Sequence, residues 1–334
     1  MQTLGFLKNI DWQNHDGVGF TMINDFIRNQ FYNNIFKDRV AGKQCIDIGF
    51  GTGLLSILAL ANNAQSIIAY ESDINRYQLG KLVIDRLGLD NKIQLIHDRY
   101  DNTILLKHTG VDVVFAETVD GNLWSEGLWN NFPRLSGIKF LPNEYFLNLY
   151  AVEVPNRFAQ GTQYPKPKNA GFNPGVDIDL NFIKLINEIG FPLHTVNIDD
   201  PLKSGIIHVS QQFETPWSWM PYLRLATTLG RIVAGYKLNV DTQSNIIIEN
   251  NNTNTLDINF TATKQTLMID TSEWKNKTVL IVPRVGLSQD GYQLNLDSAN
   301  NWGPAVDPIL LVNPDNDIVV THDMYTGKIE YKFE

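Results

Sequence analysis

Residues 44–71 hold the pattern that leaves this chain the fewest folds. In the run from Gln44 to Ala59 an apolar strand ends in Asp47-x-Gly49-x-Gly51-x-Gly53, and a helix starts at about Leu54. Ser66 to Tyr70 reads as a second strand, with Glu71 at its end. Strand, glycine loop, helix, strand and acid in that order make the layout of an adenosine-binding doubly wound α/β fold. Glycines let the backbone come close to a ligand, and an acid at the second strand's end accepts hydrogen bonds from both ribose hydroxyls. The spacing differs from the dinucleotide G-x-G-x-x-G, in which a helix start cradles a pyrophosphate. Here the glycines alternate, Asp47 stands two residues before the first, and nothing supplies a phosphate site.

The flanking segments extend this fold. Met22, Ile23, Phe26, Ile27, Gln30 and Phe31 have helical spacing, and the pattern puts Arg28 on the less apolar, solvated side of a helix ending near Ile35 or Phe36. Ile74 to Leu87 reads as a helix stopped by Gly88, and Lys92 to Ile96 as the third strand. Asp101 follows that strand, where an acid reaches an adenine amino group. Val111 to Ala116 is the fourth strand, and Trp124 to Phe132 a helix ending at Pro133. Ligands of open α/β sheets bind at the carboxyl ends of the strands, so Gly49, Glu71, Asp101 and Glu117 are expected on one rim.

After Pro155 the composition changes. Residues 160–174 are rich in Gly, Pro and Lys, and Leu180 to Ile189 has helical spacing. Beyond about Ile206 short alternating strands dominate, among them Arg231 to Val240, Leu256 to Thr261, Thr278 to Val285 and Lys328 to Phe333. The expected architecture is a Rossmann-like α/β domain over residues 1–150, then a β-barrel-like domain over 151–334 with an inserted segment at about 158–205.

The fourth strand delivers Glu117-Thr118-Val119-Asp120-Gly121-Asn122-Leu123-Trp124-Ser125-Glu126. Two carboxylates held close raise each other's pKa unless a cation lies between them, and a guanidinium's planar fork matches two carboxylates. By itself the stretch fits a guanidinium clamp and a pair of solvated loop acids equally well.

Composition removes several function classes. A net charge of −9 and a pI of about 5.2 speak against direct nucleic-acid binding and favour basic partners. Cys45 is the only cysteine, and the six histidines form no ligand-spaced pair, so no metal site is expected. With no cleavable leader at Met1 to Ile10 and no apolar run of membrane length, a cytoplasmic protein without membrane contact is the expectation.

Cys45 through Ser56, Tyr70-Glu71-Ser72, and Ala116-Glu117 through Glu126-Gly127 together resemble the protein arginine N-methyltransferases, a class I S-adenosylmethionine-dependent family. Met22 and Ile27 to Tyr32 are similar to that family's Met and V-R-x-x-x-Y helix. The resemblance implies S-adenosylmethionine as cofactor, held by Arg28, Asp47, Gly49, Gly51, Gly53, Glu71 and Asp101. In the family the arginine pairs with the cofactor's methionine carboxylate. The resemblance also implies an arginine-containing, basic protein or peptide as substrate, with Glu117 and Glu126 on its guanidinium and Met22 and Trp302 beside them. Asn300-Asn301-Trp302 stands in place of the family's Thr-His-Trp loop, and Asn9 and Gln13 in place of two N-terminal tyrosines. E-x-x-D-x-x-L-x-x-E-G is closest to the monomethylating type III branch, which makes Asp120 the residue that limits methylation. The segment at 158–205 corresponds in order to the family's dimerisation arm, implying a homodimer. Two other readings remain open: a class I methyltransferase acting on a small amine or another side chain, and a cofactor-binding scaffold without transfer.

Overall fold

The computed structural model describes residues 22–101, 103–119, 123–124, 126–132, 136–153, 230–241, 246–250, 264–275, 277–295, 309–312 and 316–333. The expectations for Asp120, Asn301, Trp302, the N-terminal segment, the strand at 256–261 and the arm at 158–205 fall outside them.

A single 3-10 turn, Met22–Asn24, leads into α1 (Phe26–Lys37), capped by Asp25, whose side chain accepts from the Arg28 amide at 3.0 Å. Then follow β1 (Gln44–Ile48), α2 (Leu54–Ala61), β2 (Ser66–Glu71), α3 (Ile74–Leu87), β3 (Ile93–His97), β4 (Val113–Ala116), α4 (Leu128–Asn131) and β5 (Lys139–Leu141). The five strands form one parallel sheet in the order β3-β2-β1-β4-β5. The order reverses beside β1, which makes the gap between β1 and β4 the topological switch point where such sheets bind ligands. Parallel strands covered on both faces read as continuous apolar runs, and β4 is buried along its whole length.

Register aligns the functional strand ends. Ile48 pairs with Tyr70 on one side and with Ala116 on the other, so Gly49, Glu71 and Glu117 follow side by side. Glu71 pairs in turn with His97, which brings the loop after β3 to the same rim.

The chain leaves the parallel sheet after a cis Leu141–Pro142 bond and enters β6 (Glu144–Glu153), which lies wholly in antiparallel pairing. β6 thus starts before residue 150. It is followed by β7 (Arg231–Val240), β8 (Ile246–Asn250), β9 (Lys264–Ile269), β10 (Thr278–Gln289), β11 (Tyr292–Asn295), β12 (Ile309–Val312), β13 (Ile318–Asp323) and β14 (Ile329–Phe333). One antiparallel sheet runs β11-β10-β6-β7-β8 with β12 on the other half of β10, and a second runs β14-β13-β9. The molecule is a Rossmann-like parallel α/β sheet followed by β-barrel-like antiparallel sheets.

The two halves share one core. Trp124, Phe132, Phe140 and Tyr145 form a chain of ring contacts with centroids 5.2–6.2 Å apart, running from the loop after β4 through β5 to β6. Burying such rings contributes on the order of 2–3 kcal/mol each, with a further increment for edge-to-face geometry. α1 packs on β11, and Arg39 reaches the Asp290 carboxylate in the β10–β11 turn, with Nε donating at 2.8 Å. Trp274 is also core, buried under the Arg231 guanidinium.

Two local expectations were wrong. On α1 the apolar Phe26 and Ile27 are 42% and 36% exposed, while Arg28 and Asn29 are buried. Periodicity scores apolar atoms, and this helix turns a hydrogen-bonded polar face inward. The helix expected from Trp124 begins only at Leu128, because its N-cap Gly127 sits at φ 83°, outside the helical region.

Candidate active site

Gly49, Gly51 and Gly53 all take positive φ, at 83°, 55° and 83°, which explains why this turn uses glycine at alternate positions. The loop's amides face inward. Those of Gly49 and Phe50 donate to the Tyr70 carbonyl, that of Gly51 to Glu71 Oε2 at 2.9 Å, and that of Gly53 to the Phe50 carbonyl. These four amides are used within the protein rather than offered to a phosphate, in keeping with the glycine spacing. A Cβ on Gly51 would meet only the Gly49 carbonyl, at 3.9 Å, so the backbone lies open to close approach.

Asp47 lies beneath this loop, 1% exposed. Its Oδ2 accepts from the Ser56 hydroxyl at 2.6 Å, while Oδ1 is buried without a hydrogen-bond partner among the described residues. Burial pushes its pKa up to about 7, and the Glu71 charge adds to this; the Ser56 bond and Arg28 pull the other way. Ser56 was missed by the sequence reading, although its place one turn into α2 made it a natural partner. Glu71 is buried and accepts from the Gly51 and Asp73 amides, one per oxygen, which leaves one lone-pair direction on each oxygen. Asp101 is exposed and caps the short 3-10 helix Ile104–Lys107, accepting from the Thr103 amide at 2.8 Å. That bond and the Thr103 hydroxyl hold its carboxyl below the usual range.

Arg28 was placed on a solvated face by periodicity and beside a carboxylate by resemblance. The structure buries it to 4% exposure and gives it a carboxylate of this chain. Its Nε donates to Glu117 Oε1 at 2.7 Å and its Nη2 to Glu117 Oε2, a two-pronged fork with both side chains 5% exposed. Nη1 donates to Asn29 Oδ1 at 2.8 Å, and the guanidinium lies 5.4 Å from the Tyr32 ring centre. Tyr32 in turn donates to the Ala116 carbonyl at the end of β4. Burial alone lowers the Arg28 pKa, and the nearby Tyr32, Asp25 and Asp47 raise it; with the fork on Glu117, the group stays a cation. Met22 is half-buried against the core just before α1.

The glycine loop and the acidic loop touch, since a Cβ on Gly49 would lie 3.8 Å from Thr118 Cγ2. Thr118 is held by Asn131 from α4, whose Nδ2 donates to its hydroxyl at 2.8 Å. Glu126 is exposed, within a turn closed by the Gly127 amide donating to the Trp124 carbonyl at 3.0 Å. A Cβ on Gly127 would lie 3.8 Å from Arg99 Nη2, so a side chain from beyond β3 reaches this turn. Cys45 is buried, its thiol pushed up to about 12 by burial and then by Asp112 and Asp47, which removes it as a nucleophile. The structure therefore gathers Arg28, Asp47, Gly49, Gly51, Gly53, Glu71 and Glu117 at the switch point, with Glu126 on a turn of the same loop and Asp101 at the outer edge.

No family model matches the chain. Over 113 residues it is 34% identical to Protein arginine N-methyltransferase 9 of Mus musculus, a stretch covering 33% of this chain and 13% of that protein. Over 187 residues it is 26% identical to Protein arginine N-methyltransferase 1 of Oryza sativa subsp. indica, covering 52% of this chain and 45% of the relative. The chain thus spans well under two thirds of the length of these relatives. Among solved structures, a crystal structure of PRMT6 superposes with a TM-score of 0.55 at 15% identity, covering 97% of this chain and all of that one. The described residues share the fold of that structure, and a third to a half of the sequence is similar to protein arginine N-methyltransferases in general.

Proposed function

We propose that this chain is an S-adenosylmethionine-dependent protein arginine N-methyltransferase with monomethylarginine as its product. The observation that carries the reading is the fork on Glu117. This carboxylate, at the end of β4 and against the glycine loop, already holds a guanidinium by two parallel hydrogen bonds. A carboxylate offers about four lone-pair directions, so two remain for a second guanidinium.

The residues fit the cofactor. Glu71 retains acceptor capacity for ribose hydroxyls, the inward loop amides suit a ligand without phosphate, and Asp47 Oδ1, without a hydrogen-bond partner among the described residues, is open to a polar group of the ligand. Arg28 is the cation for a carboxylate tail. When bound, S-adenosylmethionine supplies an electrophilic methyl group that carries its own leaving group.

Glu117 orients the acceptor guanidinium and draws positive charge onto the nitrogens it touches. Placement of the remaining nitrogen in line with the methyl does most of the work. A guanidinium keeps its proton at neutral pH, so the proton leaves as the new bond forms, and Glu126 is assigned to receive it. Asp120 is assigned to the limit at one methyl group, from the loop's spelling. In the same reading residues 1–150 bind the cofactor, 151–334 the basic substrate, and the arm at 158–205 joins two copies of a cytoplasmic homodimer.

Incubation with S-adenosylmethionine and arginine-rich peptides tests this by mass. Glu117→Gln and Glu126→Gln are expected to lower turnover by at least about 100-fold. Unchanged turnover in both would sink the assignment, and methyl found on an atom other than an arginine nitrogen would favour a different nucleophile.

A further inference from the structure

The anchor of the acidic turn lies outside the candidate active site. Trp124 is fully buried, and its indole Nε1–H donates to the Tyr236 hydroxyl at 3.0 Å. Tyr236, on β7, is buried as completely, and its oxygen lies 2.7 Å from Nδ1 of His322, on β13, also at 0% exposure. An indole nitrogen only donates, so the Tyr236 oxygen accepts from Trp124, and its bond to His322 Nδ1 runs in the direction that the imidazole tautomer sets. The loop after β4 is thereby tied to both antiparallel sheets, across 112 residues of sequence to Tyr236 and 86 more to His322.

The backbone beside the anchor is constrained. Leu123 is fully buried at φ 65°, a left-handed conformation that is strained for a non-glycine residue. Such a conformation persists only where its surroundings over-determine it. Next to it, the Trp124 carbonyl closes the turn that contains Glu126, and Gly127 leaves that turn at φ 83°. A strained residue, a held ring and a hydrogen-bonded turn thus follow one another, and the exposed Glu126 lies within that turn.

We propose that Tyr236 and His322 are positioning residues for Glu126. They fix the Trp124 indole, and through its carbonyl the turn that presents the carboxylate. The antiparallel half thereby sets the placement of an acid that belongs to the parallel half. This rests on the reading that Glu126 serves arginine methylation.

Tyr236→Phe deletes one oxygen and keeps the ring; His322→Leu removes the hydrogen-bond partner of that oxygen, and His322→Asn restores a polar group near where Nδ1 stands. The experiment measures methyl transfer to an arginine-rich peptide, S-adenosylhomocysteine affinity, and the indole N–H signal of Trp124, assigned by its loss in Trp124→Phe. Tyr236→Phe and His322→Leu are expected to lower kcat by about 10- to 100-fold with cofactor affinity within about twofold, and His322→Asn to recover most of the loss. The Trp124 indole proton should exchange faster in Tyr236→Phe. Wild-type kcat in folded Tyr236→Phe, or an equal collapse of cofactor affinity, would overturn the proposal. Should His322→Leu fail to fold, Tyr236→Phe carries the test. A wild-type protein that transfers no methyl refutes the functional reading instead. The indole then decides alone: an unaltered signal in Tyr236→Phe overturns the anchor, and a shifted, faster-exchanging one upholds it.

Discussion

Glu117 and Arg28 depend on each other. Both are nearly out of water, and removing one partner of such a pair strands the other's charge, which costs about 3–5 kcal/mol. Glu117→Gln should therefore lose stability on that scale in urea titrations, and Arg28→Met in the same chain should return most of it. Equal stabilities for wild type and Glu117→Gln would show that the fork carries little. Asp47 gives a second test, through pH. Its unfolded carboxyl ionises near 3.8, whereas the folded one keeps its proton up to about 7. Between those values the native state binds more protons than the unfolded state, so this group's contribution falls as pH rises, on the order of 1 kcal/mol per pH unit at most. Denaturation midpoints between pH 4.5 and 7.5 should show that slope, flattened in Asp47→Asn. A slope unchanged in the variant would place its origin elsewhere.

At the scale of elements, helix ends carry separable contributions. Asp73 caps α3, accepting from the Asn75 and Arg76 amides at 2.9 Å, and Asp73→Ala should cost about 1 kcal/mol by thermal unfolding. Gly127→Ala should cost about 1–2 kcal/mol, since φ 83° excludes a Cβ. These ends also show what was legible beforehand. Gly88 takes φ 64° at the stop of α3 where the sequence places it, because a C-terminal glycine is a local signal. β1, β2 and β4 were legible because both faces are covered and every residue is apolar apart from Asp47 and the edges. The buried face of α1 was not legible. Arg28 and Asn29 face inward because Glu117 lies 89 residues away in sequence, and no window of helical length contains that partner. Trp124 was read as part of a helix for the same reason: Tyr236 and His322 hold it, and both lie far along the chain.

For the whole molecule, the aromatic chain through Trp124, Phe132, Phe140 and Tyr145 makes the parallel and antiparallel halves one cooperative body. A single calorimetric transition is expected, with Phe132→Ala lowering stability by about 3–5 kcal/mol and two separated transitions contradicting the shared core. The Arg39–Asp290 contact also crosses between the halves, but about a third of each side chain is exposed, so Arg39→Ala should cost no more than about 1 kcal/mol. A molecule joined this way carries Glu117 and the turn of Glu126 in one body, and the proposed joint action of those two acids is the claim to test. The decisive measurement is tandem mass spectrometry of an arginine-rich peptide after incubation with S-adenosylmethionine and either wild-type protein or Glu126→Gln, with the variant's folding checked by circular dichroism. The expected result is one methyl group on one arginine nitrogen with wild type, and loss of that product with the variant. A wild-type product carrying the methyl on another atom, or equal product from the variant, would contradict the account.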